Sequence, residues 1–245
     1  MDGEFLKGKV ALITGGGSGL GAAICQSLAS YGATIIVADI NEKAATGVAT
    51  AMHESWGNAV SWAHLDITDP DNAEVLIKFI KEKYQKLDIL VNNAGIDLTL
   101  PVEELPVDGW KKVIDVNLTG AFIMSQLAFG LMADNPEGGN IINICSTASK
   151  MIWPNASAYH ASKWGLLGLS HALYVEGKEK NINISAIIAG GMRTPFILER
   201  FPDTDPNKLQ DPKHVAETIA YILSLPKGVV IPEMMVMPQK ESSWY

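Results

Sequence analysis

The sequence predicts a doubly wound α/β fold, a mostly parallel sheet of about seven strands with helices on both faces, and three observations predict it. Short β-branched or apolar runs alternate with longer amphipathic stretches along the whole chain. The first of these runs leads straight into a glycine-rich turn that opens a helix. The 245 residues contain no internal repeat, low-complexity tract or Pro/Gly/Ser linker long enough to divide the chain, so one domain spanning 1–245 is expected. Near-continuous apolar runs suit strands covered on both faces, and parallel neighbours need crossovers long enough to hold a helix.

Strand one, Val10 to Thr14, enters Gly15-Gly16-Gly17-Ser18-Gly19-Leu20-Gly21 and the helix Leu20 to Tyr31. Glycine lets backbone approach a pyrophosphate closely, and a helix N-terminus supplies unpaired N–H groups and partial positive charge. Gly15, Gly17, Ser18, Gly19, Leu20 and Gly21 are therefore expected to contact a dinucleotide. Strand two, Thr34 to Ala38, is followed by Asp39, eighteen residues beyond Gly21. A carboxylate there can accept hydrogen bonds from an adenosine ribose and would repel a 2′-phosphate. With neutral Ser18 and Ile40 beside it, it predicts NAD in preference to NADP. The competing role for Asp39 is to cap the helix that begins near Asn41.

Strand three, Ala59 to Leu65, ends at Asp66-Ile67, and after the helix Ala73 to Tyr84 strand four, Ile89 to Val91, ends at Asn92-Asn93-Ala94-Gly95. Ligands of open α/β sheets bind at strand C-termini. A long helix from Trp110 to Met132 carries Asn117, and strand five, Ile141 to Cys145, precedes Ser146. The helix Ser157 to Glu179 holds Tyr159 and Lys163 four residues apart, on one face and one turn from each other. Strand six is Ile182 to Ile188, and Met234 to Met237 completes the sheet. Thr194 to Pro212, with four prolines, is the long irregular region, and residues 190–212 are expected to form a loop covering a substrate.

Taken alone, Tyr-x-x-x-Lys means little. In company with Thr14-Gly15-x-x-x-Gly19-x-Gly21, Asn92-Asn93-Ala94-Gly95, Asn117 and Ser146, in that order and spacing, it resembles the short-chain dehydrogenase/reductase family from about Lys9 to Thr194. The resemblance implies a single Rossmann-type domain and a tetrad of Asn117, Ser146, Tyr159 and Lys163. It also implies adenine contacts at Asp66 and Ile67, and adenosine and ribose contacts at Asn93, Ala94 and Gly95. Lys163 would bind the nicotinamide ribose, Asn117 would distort its helix and hold a water linked to Lys163, and Thr194 would meet the carboxamide, with Gly190 and Met192 nearby. A homodimer or homotetramer is implied as well. The chain departs from the family in carrying Ala189 where a proline is common, which loosens the turn before Gly190.

Independent of any family, hydride transfer to or from a carbinol carbon needs a group that handles the hydroxyl proton, and a tyrosine of pKa about 10 needs a positive neighbour to act near neutrality. Ser146 can donate to the substrate oxygen. The expected activity is NAD-dependent oxidation of a secondary alcohol or reduction of a ketone. The alternatives are a 3-oxoacyl-thioester (carrier-protein) reductase and, in another class, a catalytically silent dinucleotide-sensing scaffold.

Nineteen Lys and Arg against 27 Asp and Glu give a net charge of −8, which counts against nucleic acid and acidic carrier proteins. The absence of an apolar run of about 18 residues argues against a membrane partner, and the start lacks a basic n-region and apolar h-region. Cys25 and Cys145 read as small core residues, so a cytoplasmic setting is expected. The five histidines have no ligand spacing, and no metal is expected. The substrate wall is placed at residues 96–100, 147–154 and 190–204, with Trp153 as a contact beside Ser146 and Tyr159. Arg193 and Arg200 read as solvated loop residues rather than partners of a substrate carboxylate.

Overall fold

The computed structural model describes residues 3–56 and 60–241. Seven strands, β1 (Val10–Thr14), β2 (Thr34–Asp39), β3 (Val60–His64), β4 (Ile89–Asn92), β5 (Gly139–Ser146), β6 (Ile182–Ala189) and β7 (Glu233–Val236), pair in the order β3-β2-β1-β4-β5-β6-β7. Every pairing is parallel. The order reverses direction between β1 and β4, the position at which such sheets open a crevice at their C-terminal edge. The strands begin and end within about two residues of the expected bounds, except that Ala59 lies outside the described residues.

Successive strand residues feed opposite cores. Ala11 and Ile13 pack with Ile24 and Leu28 of α1 (Gly19–Ser30), Met52 of α2 (Glu42–Trp56) and Val215 and Ile219 of α8 (Pro212–Leu223). Val10 and Leu12 pack with Leu76 and Ile80 of α3 (Pro70–Tyr84), Met124 of α5 (Ala121–Ala133) and Leu173 of α6 (Ser157–Gly177). Burial on both faces is why the strands show no polar alternation.

Three expectations change. The helix expected from Trp110 to Met132 is α4 (Val107–Ile114), a π-helical turn (Asp115–Gly120) and α5 in series. This continuous stretch, Val107–Ala133, is long and apolar enough to cross a bilayer, unlike the sequence expectation, but here α5 packs on β4 and β5 and α4 on α6. The Thr194 to Pro212 region is partly regular, with α7 (Pro195–Leu198), a 3-10 turn (Pro206–Lys208) and a parallel bridge from Met192 to Gln210. Helix α8 starts where that region was expected to end, because Asp211 caps it through the Lys213 N–H and Pro212 occupies its first turn.

A buried polar chain fixes α6, which carries Tyr159, and α5, which follows the π-helical turn that carries Asn117. Asn92 Nδ2 on β4 donates to Asn143 Oδ1 on β5 at 2.8 Å and to Ser125 Oγ on α5 at 2.8 Å. Asn143 Nδ2 donates to Ser170 Oγ on α6 at 2.8 Å, and Ser170 Oγ donates to Leu166 O at 2.7 Å. A buried network of this kind is costly when broken, because each remaining group has already lost its water. Asn143→Ala is expected to destabilise the fold by about 2 kcal/mol, read as a lower urea midpoint at unchanged slope.

Candidate active site

A cavity of about 730 Å³ lies along the C-terminal edge of the sheet. At its base the chain turns from β1 into α1, and two side chains brace the turn. Thr14 Oγ1 donates to Val91 O and accepts from the N–H groups of Asn93 and Ala94 at 3.1 and 3.2 Å. Asn93 Nδ2 donates to Thr14 O and Gly15 O, both at 3.0 Å. Thus the end of β4 holds the glycine turn in place. Gly15 has φ +62°, where a side chain is strained, and a β-carbon on Gly21 would collide with the Gly15 carbonyl. Ser18, the N-cap of α1, makes no side-chain cap, and the first turn holds no acid, leaving the helix N-terminus open to an anion.

Asp39 at the end of β2 is held by two backbone donors, Gly17 N–H to Oδ2 and Asn41 N–H to Oδ1, each at 2.9 Å. It therefore serves the local turn and still faces the cavity. Helix α2 takes its own cap from Asn41 Oδ1, which accepts from Ala44 N–H at 3.1 Å. Gly15, Ser18, Gly19, Leu20, Ile40, Asp66, Ile67, Asn93, Ala94 and Gly95 complete this half of the wall. Gly17 and Gly21 do not line it. Packing also constrains both, since a β-carbon on Gly17 would stand 2.9 Å from Asp39 Oδ2.

On the other side of the switch point, β5 delivers Ser146 and α6 delivers Tyr159 and Lys163 to the same cavity. Ser146 Oγ accepts from Ala148 N–H at 3.1 Å and is hydrogen-bonded with Tyr159. Burial pushes the Tyr159 phenol up to about 12, opposed by a hydrogen bond with Ser146. Burial also lowers Lys163, whose Nζ donates to Ile144 O at 2.8 Å and lies 5.7 Å from the Tyr159 ring centre. A β-carbon on Gly95 would stand 3.3 Å from Asn117 Oδ1 and in ordinary contact, at 3.6 Å, with this Nζ.

Asn117 sits in the π-helical turn and not on the cavity wall. Its amide closes a two-way pair with Ile96, Oδ1 accepting the N–H at 2.7 Å and Nδ2 donating to the carbonyl at 2.8 Å, and also donates to Ser162 Oγ at 3.0 Å. The side chain thus ties the distorted helix to the loop after β4 and to α6, a tie no sequence spacing announces.

Trp153, Gly190, Met192 and Thr194 line the cavity as expected, and so do Phe196 and Phe201; Met151, Ile152 and Leu198 do not, and Ile152 is 80% exposed. His160, next to Tyr159, is a brace: it is buried, its Nδ1 faces Ala148 O at 3.0 Å and its Nε2 accepts from Trp153 N–H at 3.1 Å. The expectation of solvated arginines holds for Arg193, which is exposed although it donates to Leu209 O at 2.8 Å and lies 3.6 Å from Asp211, and is corrected for Arg200, which pairs with the buried Asp97 at 2.9 Å. Sequence reading also missed Glu241, which lines the cavity and accepts from Gly191 N–H at 2.9 Å. Its position near the end of the chain gave no signal.

The sequence matches the family model described as short chain dehydrogenase over residues 9–205. The chain belongs to that family. A 3beta-hydroxysteroid dehydrogenase of Mediterraneibacter gnavus is 39% identical over 199 residues, 79% of this chain and 71% of that protein. Two solved structures share the whole architecture of this short-chain dehydrogenase. One is an alcohol dehydrogenase from Thermococcus sibiricus complexed with 5-hydroxy-NADP, at 26% identity and TM-score 0.89, covering 97% of this chain and 99% of that one. The other is a 3-ketoacyl-(acyl-carrier-protein) reductase from Brucella melitensis complexed with NADH, at 28% identity and TM-score 0.87, covering 96% and 99%.

The β-carbon clash at Gly21 makes a sharp test of the turn. Gly21→Ala should stay folded by circular dichroism yet bind nicotinamide dinucleotides at least about tenfold more weakly in a fluorescence titration, a loss of roughly 1.4 kcal/mol.

Proposed function

We propose that the protein is an NAD-preferring oxidoreductase acting on a secondary alcohol or its ketone. The observation that carries this reading is one cavity with a braced glycine turn and Asp39 on one side of the switch point and Ser146, Tyr159 and Lys163 on the other. The residues present fit the cofactor. The open N–H groups of the first turn of α1 would hold its pyrophosphate, Asp39 its adenosine ribose, Asp66 and Ile67 the adenine, and Lys163 and Thr194 the nicotinamide end. When bound, NAD supplies the hydride acceptor and a positive ring beside the phenol.

In this reading the Ser146 O–H, hydrogen-bonded with Tyr159 here, turns to the substrate oxygen, and Tyr159 takes the hydroxyl proton during oxidation and returns it during reduction. A phenol pushed up to about 12 by burial is a poor base by itself. Lys163 supports ionisation as a buried positive neighbour, and Asn117 holds the Ile96 loop and α6 in fixed relation. Asp39 disfavours a 2′-phosphate, which supports NAD. The match to the Brucella reductase supports the thioester alternative only at the level of reaction class, since the arginines of residues 190–204 are engaged with Asp211 and Asp97.

Three measurements test the reading. A panel of secondary alcohols and polyols followed by NADH absorbance should find a substrate, and Tyr159→Phe should lower its kcat by about 10²- to 10⁴-fold. Fluorescence titration should show NADH binding more tightly than NADPH, with Asp39→Ser narrowing the gap. The phenol must be ionised to accept a proton and protonated to give one, so kcat/KM for oxidation should rise with pH and that for reduction should fall. Lys163→Met should move both limbs to higher pH, because it removes a cation that favours tyrosinate.

A further inference from the structure

The segment after β6 meets the loop after β4 through a contact that the proposed chemistry does not use. Arg200 Nη1 lies 2.9 Å from Asp97 Oδ2, and the Asp97 side chain is only 8% exposed. Thr99 Oγ1 donates to the same Oδ2 at 3.1 Å, while Oδ1 is buried with no hydrogen-bond partner among the described residues. The Arg200 guanidinium lies against Phe196, 3.7 Å from the ring centre, and Phe196 in turn meets the Tyr159 ring at 6.0 Å. A cation, an aromatic ring and the tyrosine therefore follow one another, the two rings tilted at 42°, with the cation anchored to a carboxylate in the cavity wall.

We propose that Asp97 and Arg200 are positioning residues for Tyr159, the ion pair holding Phe196 against the tyrosine and balancing the charge the phenol faces as it exchanges its proton. Neither touches the reacting atoms; both act through Tyr159, so the inference rests on the reading of Tyr159 as the proton-transfer group.

The charged and titratable groups facing the phenol come from four places. Asp97 stands on the loop after β4 and Arg200 on the segment after α7. Cys145, itself pushed up to about 11 by burial, lies on β5 beside the uncharged Ser146, and Lys163 lies on α6. Asp97 raises the phenol and Arg200 lowers it, so their effects oppose while the pair is closed. Asp97 is incompletely hydrogen-bonded and shut away from water, which makes its charge strongly felt by neighbours. Lifting the segment would carry Arg200 away and leave Asp97 in place. A closed segment thereby favours tyrosinate relative to an open one, coupling proton transfer to the covering of the site.

The test is a spectrophotometric titration of the NAD-loaded protein at about 295 nm, where tyrosinate absorbs and the neutral phenol does not, with the Tyr159→Phe protein subtracted so that only this phenol is read. Arg200→Met should move the midpoint up by about one pH unit and Asp97→Asn should move it down, with Arg200→Lys restoring the wild-type value. Circular dichroism checks that each variant is folded, and Arg200→Lys with Asp97→Asn decides the matter should Arg200→Met fail to fold. A shift of the same sign in both charge-removing variants, or no shift, overturns the proposal, as expected of a purely structural contact. A wild-type difference spectrum with no separate midpoint for Tyr159 overturns instead the reading on which the proposal rests.

Discussion

Parallel pairing makes every strand release its chain at one edge, and in a sheet of order β3-β2-β1-β4-β5-β6-β7 the crossovers leave in opposite directions on either side of the β1–β4 boundary. The crevice that results is the constraint on which the site depends. Asp39, Asp66, Asn93, Ser146 and Gly190, far apart in sequence, are neighbours only because each follows or ends a strand of this sheet. The Thr14 and Asn93 bonds across the boundary lock the glycine turn to the end of β4, so the opening has a fixed floor.

Above that floor the chemistry is governed by burial. Tyr159 and Lys163 are both removed from water, and burial pushes each toward its neutral form, the phenol upward and the ammonium downward. Such a pair is poised to respond to any charge introduced beside it. The neutral hydroxyl of Ser146, the anchored Asp97–Arg200 pair and a cationic ligand ring would each count for more here than at a surface. The supporting contacts are correspondingly rigid: His160 braces the Trp153 loop from both ring nitrogens, and Asn117 is spent on Ile96 and Ser162. The π-helical turn is the local deviation that brings Asn117 to Ile96, where periodicity alone predicts an ordinary helix.

Much of this was legible in the sequence because it is local. Apolar runs set the strands, the glycine turn follows β1 without a break, and four-residue spacing alone puts Tyr159 and Lys163 on one face of α6. Asp39 was legible as a strand-end acid, and the structure adds that the same carboxylate also holds the turn through Gly17 and Asn41. Less was visible where the reason lies in a distant partner. Gly17 and Gly21 read as ligand contacts, and the structure adds a packing reason for glycine at each, because Asp39 or Gly15 comes too close for a side chain. Helix α8 was obscured by the prolines before it, although Asp211 and Pro212 mark its start.

The sequence by itself determined the strand and helix alternation, the family, and the residue types at the site, because periodicity, turn chemistry and motif spacing are properties of neighbours along the chain. Only the tertiary structure decided which groups face each other across the crevice. The Asp97–Arg200 pair, the Phe196 contact with Tyr159 and the Glu241 carboxylate at Gly191 join segments far apart in sequence, and no periodicity encodes them. Their charges and rings matter to Tyr159 through distance and low dielectric, and both are set by packing rather than by order along the chain.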